Sequence, residues 1–164
     1  MESPEAKLFL EIQNRITDKV PEIKYIDQNL AQYLKDDLRQ KMIYPCALID
    51  FNNTDFTELQ GNIQMATVTI SITLFFDIWN ATNNLTPLAI KQEGLLYNDI
   101  THKLYSALQG FNASFTGPLI RTNQKSQNNN EIGLKIVELT FTTTYEDWTL
   151  NDDNYVGLTF TARP

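Results

Sequence analysis

A chain of 164 residues, 42% hydrophobic and 20% charged, has room for one domain with a real core and little room for two. A formal net charge of −7, with Lys and Arg scattered rather than in runs, argues against a protein that binds nucleic acid by displacing counterions from phosphate. The lone cysteine, Cys46, excludes an internal disulfide and any multi-cysteine zinc site.

The first residues carry an early acid and no basic stretch leading into a long apolar core, so they do not read as a signal peptide. No apolar run approaches the ~20 residues that span a bilayer. The expected setting is intracellular, with no membrane contact.

Ser3-Pro4-Glu5 has the chemistry of a helix start: a capping hydroxyl, a proline at the first helical position and an acid near the positive end of the dipole. Leu8, Phe9, Ile12, Ile16 and Val20 recur at helical spacing, and Pro21 closes the segment, which predicts a helix over residues 4–19. Residues 23–27 read as a short strand. Residues 30–42 read equally as a short helix, through Leu30, Tyr33, Leu34 and Leu38, or as an exposed connection. Residues 44–51, YPCALIDF, form a strand with proline at its entry, where a missing ladder N–H is tolerated. Residues 52–61 read as a polar, turn-rich loop.

Residues 64–79, QMATVTISITLFFDIW, carry the strongest pattern. Val68, Ile70, Ile72, Leu74, Phe76 and Ile78 share one parity, whereas Thr67, Thr69, Ser71, Thr73 and Asp77 share the other. Side chains alternate across a strand, so this is a long strand with one apolar and one mostly polar face. A polar loop follows, then Thr86-Pro87 repeats the cap-then-proline start. The second helix runs to about Gln109, with Leu96, Ile100, Leu104, Ala107 and Leu108 as its core stripe and Gly110 as its stop. Gly94 inside it marks a kink or a close approach.

A strand is expected around residues 117–122 and a loop tip at 124–130. A second long strand follows over 131–148. Its apolar parity changes between Ile136 and Val137, as a β-bulge would produce. Residues 149–164 form an extension whose alternation over 156–161 implies docking on its own sheet or on a neighbouring subunit. The expected fold is a single α+β domain over residues 1–164. It has a mainly antiparallel sheet with two long strands and helices packed on one face.

Chemistry is sparse. Cys46 sits among apolar residues and reads as a buried strand residue. His102 lies off the helical core stripe and has no nucleophile motif to serve. Neither an EF-hand pattern nor a glycine-rich phosphate loop is present, so no catalytic, cofactor or metal residues are assigned. Two features remain open. Phe75 and Trp79 fall on the otherwise polar parity, and Trp148 ends the second long strand; these aromatics are either core cover or an apolar interface patch. Glu146, Asp147, Asp152 and Asp153 form an acidic group that reads as a solvated loop, a subunit contact or, last, a metal site. The candidate subunit-interface residues are therefore Phe75, Trp79, Trp148, Asp152 and Asp153.

An N-terminal amphipathic helix comes first, then the strand YPCALIDF. A polar loop leads to a long strand ending FFDIW, followed by a helix and a strand pair ending TFTTTYEDW. This order resembles the tail terminator, tail-completion and neck proteins of long-tailed bacteriophages and prophages over about residues 4–148. The resemblance implies an α+β subunit without enzymatic activity or cofactor. It implies assembly into a ring, commonly hexameric, that caps the tail tube and joins it to the head-neck proteins. Such a protein would be found in the host cytoplasm during assembly and then in the virion tail, with DNA passing through without specific binding; an acidic lumen would allow this because like charges repel. Residues 30–42 and the C-terminal extension depart from the usual pattern. A second reading is a small ligand-binding or enzymatic α+β domain with a pocket between sheet and helices. A third is an intracellular adaptor or immunity protein.

Overall fold

The computed structural model describes residues 3–127 and 131–150. Helix α1 spans Pro4–Lys19, and Ser3 caps it by accepting the Ala6 N–H at 3.1 Å. Leu8, Phe9, Ile12 and Ile16 are its buried face. Strand β1 spans Tyr25–Gln28. A single 3-10 turn at Gln32–Leu34 and the one-turn helix α2 at Asp36–Arg39 follow. Strands β2 (Cys46–Glu58) and β3 (Gln64–Phe76) come next, then helix α3 (Leu88–Leu108) and strands β4 (Ile120–Gln127) and β5 (Lys135–Asp147). The Tyr44–Pro45 peptide that leads into β2 is cis.

The five strands form one sheet in the order β1-β2-β3-β5-β4. It is a mixed sheet rather than the mainly antiparallel one expected: β1 runs parallel to β2, while β2–β3, β3–β5 and β5–β4 are antiparallel. Three strands of 13 residues, not two, make up its centre. The third arises because the polar stretch after Phe51 is strand rather than loop. Backbone pairing with β3 carries β2 out to Glu58, opposite Gln64, and the hairpin closes through Leu59 N–H to Ile63 O at 2.9 Å with Gly61 and Asn62 at positive φ.

The alternation of β3 sorts its side chains as its parity requires. Val68, Ile70, Ile72, Leu74 and Phe76 face α1 and α3, and meet Ile12, Ile16, Ile100, Leu104, Leu139 and Phe141 in the main core. The two helices also bond directly, Arg15 Nε donating to Ala107 O at 2.9 Å. Leu96 does not join this stripe; it is 48% exposed, two turns into α3. Thr86 makes no cap either: Pro87 occupies the N-cap position without a side-chain bond. Gly110, at φ +74°, sits just past the end of α3 as expected.

No bulge lies at Ile136–Val137, where β3 and β5 pair without a shift from Phe76/Lys135 to Gln64/Asp147. Both residues are buried because this end of the sheet is covered on both faces. Val137 belongs to the core under α1 and α3. Ile136 belongs to a second cluster with Cys46, Leu48, Phe75, Met42 and Leu134. Tyr33, from the 3-10 turn, covers that second cluster, with its ring 4.8 Å from that of Phe75. The helical material is therefore not confined to one face: α1 and α3 lie on one, and the segment carrying the 3-10 turn and Met42 packs on the other. Register shifts occur instead at Phe51/Asn53 in β2 and at Arg121/Asn123 in β4. The short strand expected at residues 117–122 is the longer β4, which takes in most of what read as a loop tip. The predicted alternation at 156–161 falls outside the described residues.

Candidate functional site

Among the described residues, no group of three or more His, Cys, Asp or Glu side chains is placed to hold a metal ion. Cys46 is fully buried, and burial pushes its thiol up to about 12, so it is no nucleophile. His102 is exposed on α3, its ring 6.0 Å from Tyr105. The interior between sheet and helices is filled by side chains such as Phe76, Phe141, Ile12 and Leu104. Clefts lie at the margins. One of about 570 Å³ runs along Ile43, Tyr44, Asp77, Asn80, Glu93 and Leu96. Another of about 430 Å³ lies at the opposite end of the sheet, between Glu58, Gln64, Asp147 and Leu150. The Tyr44 hydroxyl is buried without a hydrogen-bond partner among the described residues.

The sequence-predicted interface residues separate into three groups. Phe75 is 0% exposed and lies under Tyr33, inside the subunit rather than on its surface. Residues 33–44 fold over the polar-parity face at that end, and the pattern of β3 alone could not show it. Trp79 and Trp148 are at the surface, 73% and 54% exposed, beyond opposite ends of the long strands. Each is steadied by its own strand end: Trp79 Nε1 donates to Asp77 Oδ1, and Trp148 Nε1 to Glu146 Oε2 at 3.1 Å. The Trp79 ring also lies close against Gly133, where a Cβ would come within 2.7 Å of it. Asp152 and Asp153 lie outside the described residues. Asp147, next to them in the acidic group, accepts from Thr149 Oγ1 at 2.6 Å and from its N–H at 2.9 Å. These two bonds hold its carboxyl below the usual range.

Sequence reading missed the sheet flanks. β1 pairs with only the first four residues of β2, Cys46–Ile49. Beyond Ile49, no described strand lies on the outer side of β2, and none lies beyond β4. The uncovered part of β2 carries Asp50, Asp55 and Glu58, with Phe56 half exposed; β4 carries Arg121 and Lys125. Lys125 pairs with Glu138 at 2.9 Å. Arg121 lies over the Tyr105 ring at 3.7 Å, and its N–H donates to Gln109 Oε1 at 3.0 Å. The available signal was the β-branched and aromatic content of Thr54, Phe56 and Thr57 inside a stretch that otherwise looked like loop.

The outward face of the central sheet, opposite α1 and α3, is lined with hydroxyls in facing pairs: Thr67 with Thr144, Thr69 with Thr142, and Ser71 with Thr140. No helix among the described residues is long and apolar enough to cross a membrane.

No protein-family model matches this chain, and no curated protein matches it. Among solved structures, it is similar to a chain described as part of the virion of a native gene transfer agent particle. The TM-score is 0.39 at 14% identity, with 62% of this chain and 69% of that chain covered.

Proposed function

We propose that this chain is a non-enzymatic structural subunit of a phage-type tail, which forms a ring that terminates the tail tube and joins it to the head-neck proteins. One observation carries the reading: among the described residues, no strand lies beyond the part of β2 after Ile49 or beyond β4, and no group of three or more His, Cys, Asp or Glu side chains is placed to hold a metal ion. An uncovered flank on each side of one sheet is a head-to-tail surface. Head-to-tail contacts close into rings when the rotation allows. The order of elements, with its resemblance to tail terminators, supplies the place of that ring in a particle. Its partners are then other copies of itself, the tail tube and the neck. DNA is a passenger rather than a ligand, because a net charge of −7 and a hydroxyl-lined face offer it no cationic grip.

The test is the solution mass of the purified protein over a concentration series by light scattering, with negative-stain images and a sedimentation assay on tail tubes. A closed ring, alone or on the tube, is the expected result. A monomer that tail tubes do not recruit would refute the proposal. A specific small molecule seated in the cleft at Tyr44 would transfer support to the ligand-binding reading.

A further inference from the structure

Which surfaces join the copies follows from the register of the sheet. Traced across the ladder, β4 lies at the height of the first part of β2. Gln127 aligns through Ile136 and Phe75 with Cys46, and Gln124 aligns through Leu139 and Ile72 with Ile49. On the other flank that height is already taken, because β1 pairs with Cys46–Ile49. A neighbouring copy whose β4 is to reach the uncovered part of β2 must therefore slide by four residues along the strands.

We infer that residues 123–127 of β4 of one copy add, antiparallel, to residues 50–55 of β2 of the next, so that one sheet continues around the ring. This rests on the ring reading above. Three observations carry it. First, the lengths agree: a slide of four places Gln127 opposite the neighbour's Asp50 and Asn123 opposite its Asp55, so the part of β4 beyond Arg121, whose backbone N–H is already held by Gln109 Oε1, meets the first part of the free edge.

Second, the charges fall into place. In this register Lys125 stands opposite Asn53, with Asp50 and Asp55 as its diagonal neighbours on the same face. Cross-strand and diagonal pairs of this kind interact across a ladder. The register shifts within both strands leave the facing parities matched.

Third, the slide is the one a closed ring needs. Four residues amount to about 13 Å along the strand, and the four strands from β2 to β4 span about 19 Å, which gives a strand tilt of about 35°, within the range of closed barrels. With right-handed crossovers between parallel strands, the displacement also has the sense that strand twist demands when α1 and α3 face outward. About six copies joined in this way enclose a wall about 45 Å across between backbones, with the hydroxyl face inward.

The experiment uses the full chain carrying Gln124→Cys and Thr54→Cys, which face each other across the inferred junction. Within one copy they sit on opposite flanks, about 14 Å apart or more, beyond the reach of a disulfide. Buried Cys46 takes no part. Oxidation should give a ladder of linked chains that ends at the ring mass, and neither single variant should give it. Lys125→Glu should lower linking at limiting concentration about tenfold, and adding Asp50→Lys and Asp55→Lys should restore it. A ring that assembles without the ladder overturns the edge pairing and leaves the ring reading standing. A chain that stays monomeric, with tail tubes and without, overturns both. A ladder that forms only after residues 151–164 are removed overturns the inference for the full chain, because its own extension then occupies the edge. Unchanged linking in Lys125→Glu overturns the register.

Discussion

Truncating Phe75 to alanine separates the two roles open to an aromatic on the polar parity of β3. Phe75 has no exposed surface, packs with Cys46, Leu48 and Ile136, and holds its ring 4.8 Å from Tyr33. As a core residue its removal costs about 3–5 kcal/mol, the range for Phe→Ala in a well-packed interior, because transfer energy and cavity formation add. For a chain of this size, each kcal/mol lowers Tm by roughly 2–4 °C, so the expected fall is about 6–20 °C. Urea unfolding followed by circular dichroism should show a lower midpoint with an unchanged slope. Trp79→Ala is the companion measurement. With most of its ring in solvent, Trp79 should cost less than about 1 kcal/mol, the behaviour of a surface residue. A stability loss below about 1 kcal/mol for Phe75→Ala, together with a change in oligomer mass, would refute the assignment of Phe75 to the interior.

Four further outcomes follow from particular contacts. Gly94→Ala, which in an open helix gains about 1 kcal/mol, should here lower Tm, because the new Cβ would stand 2.7 Å from Thr82 Cγ2 and 3.0 Å from Asn80 O. Gly133→Ala combines φ +71° with a Cβ 2.7 Å from Trp79, so it should destabilise by at least ~1 kcal/mol and shift the tryptophan emission of the native state. Tyr44→Phe removes a buried hydroxyl with no partner among the described residues and should leave urea stability unchanged or raised; a loss beyond ~1 kcal/mol would reveal a bond the hydroxyl makes. Glu11 accepts from Ser114 N–H at 2.7 Å and Oγ at 2.5 Å. Partial burial pushes its carboxyl up, but these two bonds, with Lys7 nearby, outweigh it and hold it below the ordinary 4.5. A depressed folded value means the contribution is complete above the ordinary value and is lost as pH falls through the lowered one; Glu11→Gln should therefore flatten the acid limb of the stability–pH curve below about 4.5.

Local chemistry made α1 legible. Ser3-Pro4 and the spacing from Leu8 to Ile16 have no competing reading, and the bounds are those observed. The alternation of residues 67–76 likewise identified β3 and its core-facing parity. Reading failed where both sides of a strand shared one environment. Phe75–Phe76 and Ile136–Val137 break alternation because both faces are buried there, which imitates a register slip. Residues 53–58 and 123–127 show the converse: both faces are open to solvent, so polar side chains sit on true strands and look like loop. The flanks were lost for the same reason, since an edge is defined by which strand lies beside it, a long-range property that no window of sequence contains. Trp79 and Trp148 could be named as candidates for the surface. Phe75 could not be told from them without knowing where residues 33–44 go.

The unequal cover of the sheet has a mechanical consequence. Around Phe75 and Ile136 the strands are clamped between two packed layers, while toward Glu58 and Gln64 one layer falls away and the hairpin projects. Such a sheet behaves as a cantilever, fixed at its root and compliant at its tip. Amide exchange should slow steeply from Gln64 toward Phe75 along the single strand β3. A compliant tip lets identical subunits accommodate small errors of alignment as they meet, and the clamped root keeps those adjustments from reaching the fold.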